Sequence, residues 1–190
     1  MRATLIVAVA IAVVWWAPWD SSPSAIAGAR AAFGSGPIVH VIALAGVAAT
    51  AGATRPVVNE KQWEIWSDPS RRLFHLVERQ GGKTVADTLG RTPGPIDPAL
   101  DVFVSRYGAE LARRRLRPAG SGKIQDRRVL WLQSARLLVA IDPVSYQALW
   151  VRLVTAGAPS GPLVQIVRAE TVPAGSGDLQ TQKTKRPRHL

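Results

Sequence analysis

The segment Arg136–Val154, RLLVAIDPVSYQALWVRLV, decides the fold. Two apolar runs flank Asp142-Pro143. Aspartate suits the first position of a type I turn, because its carboxylate accepts a hydrogen bond from a backbone N–H two residues on. Proline presets φ at the next position. The flanks alternate: Leu137, Val139 and Ile141 point one way, Leu149, Val151 and Leu153 share a face, and Trp150 and Arg152 take the other. The stretch predicts an antiparallel hairpin, and with it a sheet protein.

Working outward toward the C-terminus, Pro162–Val172 forms the expected last strand, and residues 174–190 make a polar, basic tail expected to be disordered. Toward the N-terminus, Lys123–Gln133 (KIQDRRVLWLQ) reads as a strand. Before it lies a helix: Asp97 caps it, Pro98 takes its first position, and Asp101 complements the helix dipole in the first turn. Leu100, Phe103, Val104, Tyr107 and Leu111 form one apolar stripe, which predicts a helix over 98–115 laid on a sheet. Arg113, Arg114, Arg115 and Arg117 crowd its end, and Pro118 with Gly120 stops it. Residues 61–89 hold three strands with tight turns at Asp68-Pro69 and Gln80-Gly81-Gly82. WEIWSDPSRRLFHLVER echoes LVAIDPVSYQALWVRLV in its plan of strand, Asp-Pro, strand. Ile38–Ala45 is the expected first strand, preceded by a short helix over Ser24–Phe33, and residues 48–55 read as a loop or weak strand end.

Residues 3–19, ATLIVAVAIAVVWWAPW, carry no charge. About 17 to 20 apolar residues just span a bilayer core of about 30 Å, and Trp15, Trp16 and Trp19 sit where indoles favour the interface. The segment reads as a transmembrane anchor over residues 1–22, with the N-terminus in the cytoplasm and the rest outside. A cleaved signal peptide ending at Ala25-Ile26-Ala27 and a buried core helix are the rival readings. A single domain over 23–173 follows, with 174–190 as the tail; 47% hydrophobic content and 16 glycines with 14 prolines suit a globular chain rich in turns. The chain has no cysteine, which excludes disulfides, thiolate metal sites and a cysteine nucleophile.

The order helix, antiparallel strands, helix, strands, behind an apolar segment, resembles the bacterial lipoprotein-carrier superfamily. That group includes the LolA and LolB carriers and the sensor domain of RseB-type regulators. GPIVHV at Gly36–Val41, WEIWSDPSRRLFHLV at Trp63–Val77, the passage from Asp97 to Leu132 and LLVAIDPVSYQALWVR at Leu137–Arg152 carry the resemblance. It implies an α+β fold, an incomplete antiparallel β-barrel whose apolar concave side is covered by one or two helices. It also implies a non-catalytic role: binding an acyl chain, lipid or lipoprotein-like ligand, or docking an envelope partner of the anti-sigma type. A half-barrel of about eight strands has one side too apolar for water, so a helix must plug it or a ligand fill it. Trp63, Leu73, Val129, Trp131, Leu149 and Trp150 are the expected lining, or else the core beneath the 98–115 helix.

No chemistry-bearing motif competes with this. His40 and His75 lie on expected strands among apolar residues, and with His189 they form no metal-ligand pair. No serine stands in a G-x-S-x-G context. Gly120-Ser121-Gly122-Lys123 lacks the full phosphate-loop pattern and reads as a linker. No cofactor is expected. The net charge of +11 concentrates in Arg113–Arg117, Arg127-Arg128 and the tail. Without an aromatic-interleaved or recognition-helix motif, such clusters suit an anionic lipid surface or wall polymer better than nucleic acid.

Overall fold

The computed structural model describes residues 23–44, 61–91, 96–174 and 179. Helix α1 (Pro23–Phe33) leads into β1 (Ile38–Leu44). Strands β2 (Lys61–Asp68), β3 (Leu73–Gln80) and β4 (Lys83–Gly90) form a meander. Helix α2 (Pro98–Ala112) crosses to β5 (Arg117–Ile124), β6 (Arg127–Gln133), β7 (Leu137–Ile141), β8 (Ala148–Thr155) and β9 (Ala158–Val172). The strands make one open sheet in the order β4-β3-β2-β1-β9-β8-β7-β6-β5, antiparallel at every pairing. The chain is therefore α+β, with nine described strands where about eight were expected. Residues 3–19 and 48–55 lie outside the described residues. Among the described residues no helix is long and apolar enough to cross a membrane.

Both Asp-Pro hairpins close on their aspartate. Asp142 Oδ1 accepts from the backbone N–H groups of Val144 (2.9 Å) and Ser145 (2.8 Å). Its other oxygen accepts from Arg127 at 2.7 Å. These bonds, the one from Ser145 foremost, hold its carboxyl down at about 2. Asp68 Oδ1 accepts from the Ser70 hydroxyl (2.6 Å) and from the N–H groups of Ser70 and Arg71. The β7–β8 loop carries one further constraint. Tyr146 adopts φ 58°, and a Cβ on Gly28 of α1 would stand 2.5 Å from its ring. Only glycine lets the helix approach so closely.

Two expectations about β5 and β6 need correcting. KIQDRRVLWLQ is not one strand, because Gln125 (φ 49°) and Asp126 (φ 62°) turn the chain between β5 and β6. Two consecutive positive φ values are the geometry of a type I′ hairpin turn, which usually announces itself by glycine. The Gly120–Lys123 stretch is no linker, since it lies within β5; there Ser121 pairs with Leu130 across a register shift.

Helix α2 begins as expected, with the Asp97 side chain accepting from the Ala99 N–H at 2.8 Å. It ends at Ala112, short of the expected residue 115. All five stripe residues are buried. They pack with Val39, Val41, Ile65, Leu132, Leu137, Val139, Val151 and Ile166 in one core cluster. Each such side chain removed from water contributes about 1.5–3 kcal/mol. Tyr107 stacks on Phe103 and meets Phe33 of α1 edge-on, with ring centroids 4.5 and 5.0 Å away. Burial pushes its phenol far up in pKa, and its hydroxyl has no hydrogen-bond partner. The layer between α2 and the sheet is filled by the protein's own side chains.

Candidate functional site

The register separates the six apolar residues expected to share a lining. Trp63 alone lies in the core cluster on the helix side. Its indole N–H donates to Glu78 at 3.3 Å, and Lys61 lies 5.2 Å over its ring while pairing with Glu78 at 2.8 Å. Leu73, the first residue of β3, is half-buried and joins neither cluster. Val129, Trp131, Leu149 and Trp150 do come together, in a second cluster with Ile124, Ala140 and Leu163.

That second cluster is on the other face of the sheet. Leu137, Val139 and Ile141 of β7 belong to the helix-side core, so Ala140 between them points away from it. Ala140 pairs with both Trp131 and Trp150. Leu149 was expected to share a face with Val151. A register shift between Ala140 and Ile141 leaves it opposite no residue of β7, and it packs beside Trp150 instead. Trp131, Leu149 and Leu163 keep part of their surface exposed. The Trp150 indole nitrogen is buried without a hydrogen-bond partner.

The same face carries a polar ladder on β9, β1, β2, β3 and β4. His40, Trp66 and His75 are cross-strand partners. The Trp66 ring stacks on His40 (4.8 Å, 11°) and on His75 (5.3 Å, 20°). The nitrogens of His40 lie 3.2 Å from Glu64 and 3.4 Å from Glu170. Arg79 donates to Glu64, and His75 Nε2 donates to Asp87 at 2.7 Å. Both histidines are buried within this network, though Nδ1 of His75 has no partner. Sequence reasoning found the two histidines but not the tryptophan between them, because nothing local announces a pairing across three strands. Among the described residues no group of three His, Asp or Glu side chains is placed to hold a metal ion.

No family model matches the chain, and no curated protein matches it. The crystal structure of MucB is 14% identical over 84% of this chain and 62% of that one, with a TM-score of 0.36. MucB in complex with MucA(peri) is 15% identical over 86% and 59%, with a TM-score of 0.33. The Pseudomonas aeruginosa MucA/MucB complex is 14% identical over 80% and 58%, with a TM-score of 0.35. The chain spans about three fifths of the length of these MucB chains. At such overlaps no role passes from those proteins to this one.

Proposed function

We propose that the chain is a membrane-anchored, extracytoplasmic domain that binds an acyl chain, lipid or lipoprotein-like apolar ligand without catalysing a reaction. One observation carries this reading. Val129, Trp131, Leu149 and Trp150 gather outside the filled core, on a sheet face that neither helix packs against. An apolar ligand laid over Trp131, Leu149 and Leu163 would remove their remaining surface from water, at about 25 cal/mol per Å² before ordering costs. The uncharged segment at residues 3–19 supports the tether, and the short positive flank before it supports an outward-facing domain.

The test is lipid retention by the purified full chain. Phospholipid recovered by mass spectrometry from the wild type and lost from Leu149→Asp supports the reading. Recovery of none from either sinks it. A reporter fused after residue 172 should be active outside the cytoplasm; activity only inside would reverse the topology.

A protein partner is the second reading, favoured by strand β4. It is an edge strand of eight residues, with Val85 and Leu89 53% and 44% exposed. An extended segment of an envelope protein could add to that edge by backbone pairing. Under this reading Leu89→Lys abolishes partner recruitment and leaves lipid retention untouched.

A further inference from the structure

We propose that the cavity where α2 ends is a binding site for a phosphate-bearing anion. It is separate from the tryptophan face and stands whether or not that face binds lipid. The cavity has a volume of about 730 Å³, within the range of small-ligand sites. Arg106 and Glu110 line it from the last turns of α2. Arg114, Arg115 and Arg117 line it from the junction with β5, and Arg136 from the β6–β7 turn. Two stretches of chain far apart in sequence thus bring five arginines and one glutamate to the border of the same cavity.

Among the described residues, none of the five arginines forms an ion pair. Oε2 of Glu110 is buried and has no hydrogen-bond partner, so the one carboxylate does not neutralise them by close contact. The five arginines are solvent-exposed and border one shared space. Their mutual repulsion is relieved when a dense anion enters.

The helix end supplies an independent sign. The Arg115 N–H donates to the Glu110 carbonyl at 2.8 Å, and the Arg114 N–H to the Leu111 carbonyl at 3.2 Å. These two bonds define a Schellman motif, in which the residue at the position of Arg114 is left-handed and usually glycine. Arg114 holds φ 54° there. A side chain at that position is a strain on the fold, of the kind that persists where a function retains it. Here the strained residue is one of the cavity's cations. Planar guanidinium forks engage phosphate oxygens in pairs, and several forks around one space suit a group of at least two negative charges. A soluble phosphate ester and the phosphate headgroup of a lipid share this chemistry.

The experiment is calorimetric titration of the full chain with inorganic pyrophosphate, beside succinate as a carboxylate control. The expected result is one site for pyrophosphate, weakened by added salt, with little binding of succinate. Arg117→Gln and Arg136→Gln should each lower the affinity about tenfold. Arg114→Gly should lower it similarly while raising the melting temperature, a combination that a purely structural arginine would not produce. Arg168→Gln, on β9 and paired with Glu170, should change nothing. Vesicles of phosphatidylcholine with and without phosphatidate separate the sources. Phosphatidate-dependent binding lost in Arg136→Gln assigns a headgroup, and binding of pyrophosphate alone assigns a soluble ester. Equal binding of pyrophosphate and succinate, tighter binding of a polyglutamate peptide, or equal losses in Arg136→Gln and Arg168→Gln would overturn the proposal.

Discussion

The two faces of the sheet solve the same problem by different means. On the helix side, α2 lays Leu100, Phe103, Val104, Tyr107 and Leu111 onto strands from both halves of the sheet, and the layer closes as one core. Among the described residues the opposite face carries no helix. Its β1–β4 half is a ladder of stacked rings and charge-assisted hydrogen bonds, and its β5–β8 half is a small apolar cluster with tryptophan at its centre. The helix side is specified by burial, which is large and undirected. The other side is specified by pairwise geometry, which is weaker per residue. Undirected burial and directional pairing are thus divided between faces.

That division can be broken by measurement. Phe103→Ala should cost the most, about 3–5 kcal/mol in denaturant unfolding, because a fully buried ring leaves a cavity. Trp66→Ala removes two ring stacks from a half-exposed position and should cost about 2–3 kcal/mol. Were it to equal Phe103→Ala, the open face would be a second core. Asp142 serves the hairpin that carries both faces. Its carboxyl is lowered from 3.8 to about 2, so its contribution is complete above pH 4. As pH falls toward 2 that contribution, about 1 kcal/mol once solvent screening is allowed for, should be lost; Asp142→Asn should remove this slope from the pH–stability curve. Arg168→Gln on the open face should cost under about 0.5 kcal/mol, since its pair with Glu170 is solvated.

Much of the helix-side face could be read before any coordinates. The α2 stripe follows helical spacing, Asp97 and Pro98 mark its start, and the Asp68 and Asp142 turns depend on a side chain bonding its own neighbours. All of these are local. The β5–β6 hairpin was missed because Gln125 and Asp126 take positive φ without glycine to signal it. The glycines of β5, read as a linker, instead lie in a paired edge strand. The open face was less legible still. Whether Trp63 and Trp131 share a side depends on strand pairing between distant segments, and the displacement of Leu149 depends on a register shift. Arg114 to Arg117 were visible as a charge run, but their meeting with Arg136 is made by the β5–β6–β7 pairing.

The seam between the sheet's halves rests on one strand. β9 pairs with β8 from Ala158 to Gln165 and with β1 from Gln165 to Val172. In the seam the entering end of β1 lies against the leaving end of β9, Ile38 opposite Val172. A mechanical load drawn between residues 37 and 173 therefore does not shear the sheet. It unzips the seam rung by rung, starting at Ile38, and leaves the internal pairings of the two meanders untouched. The same seam closes the longest loop in the sheet and so carries the largest loop-closure entropy of any strand pairing.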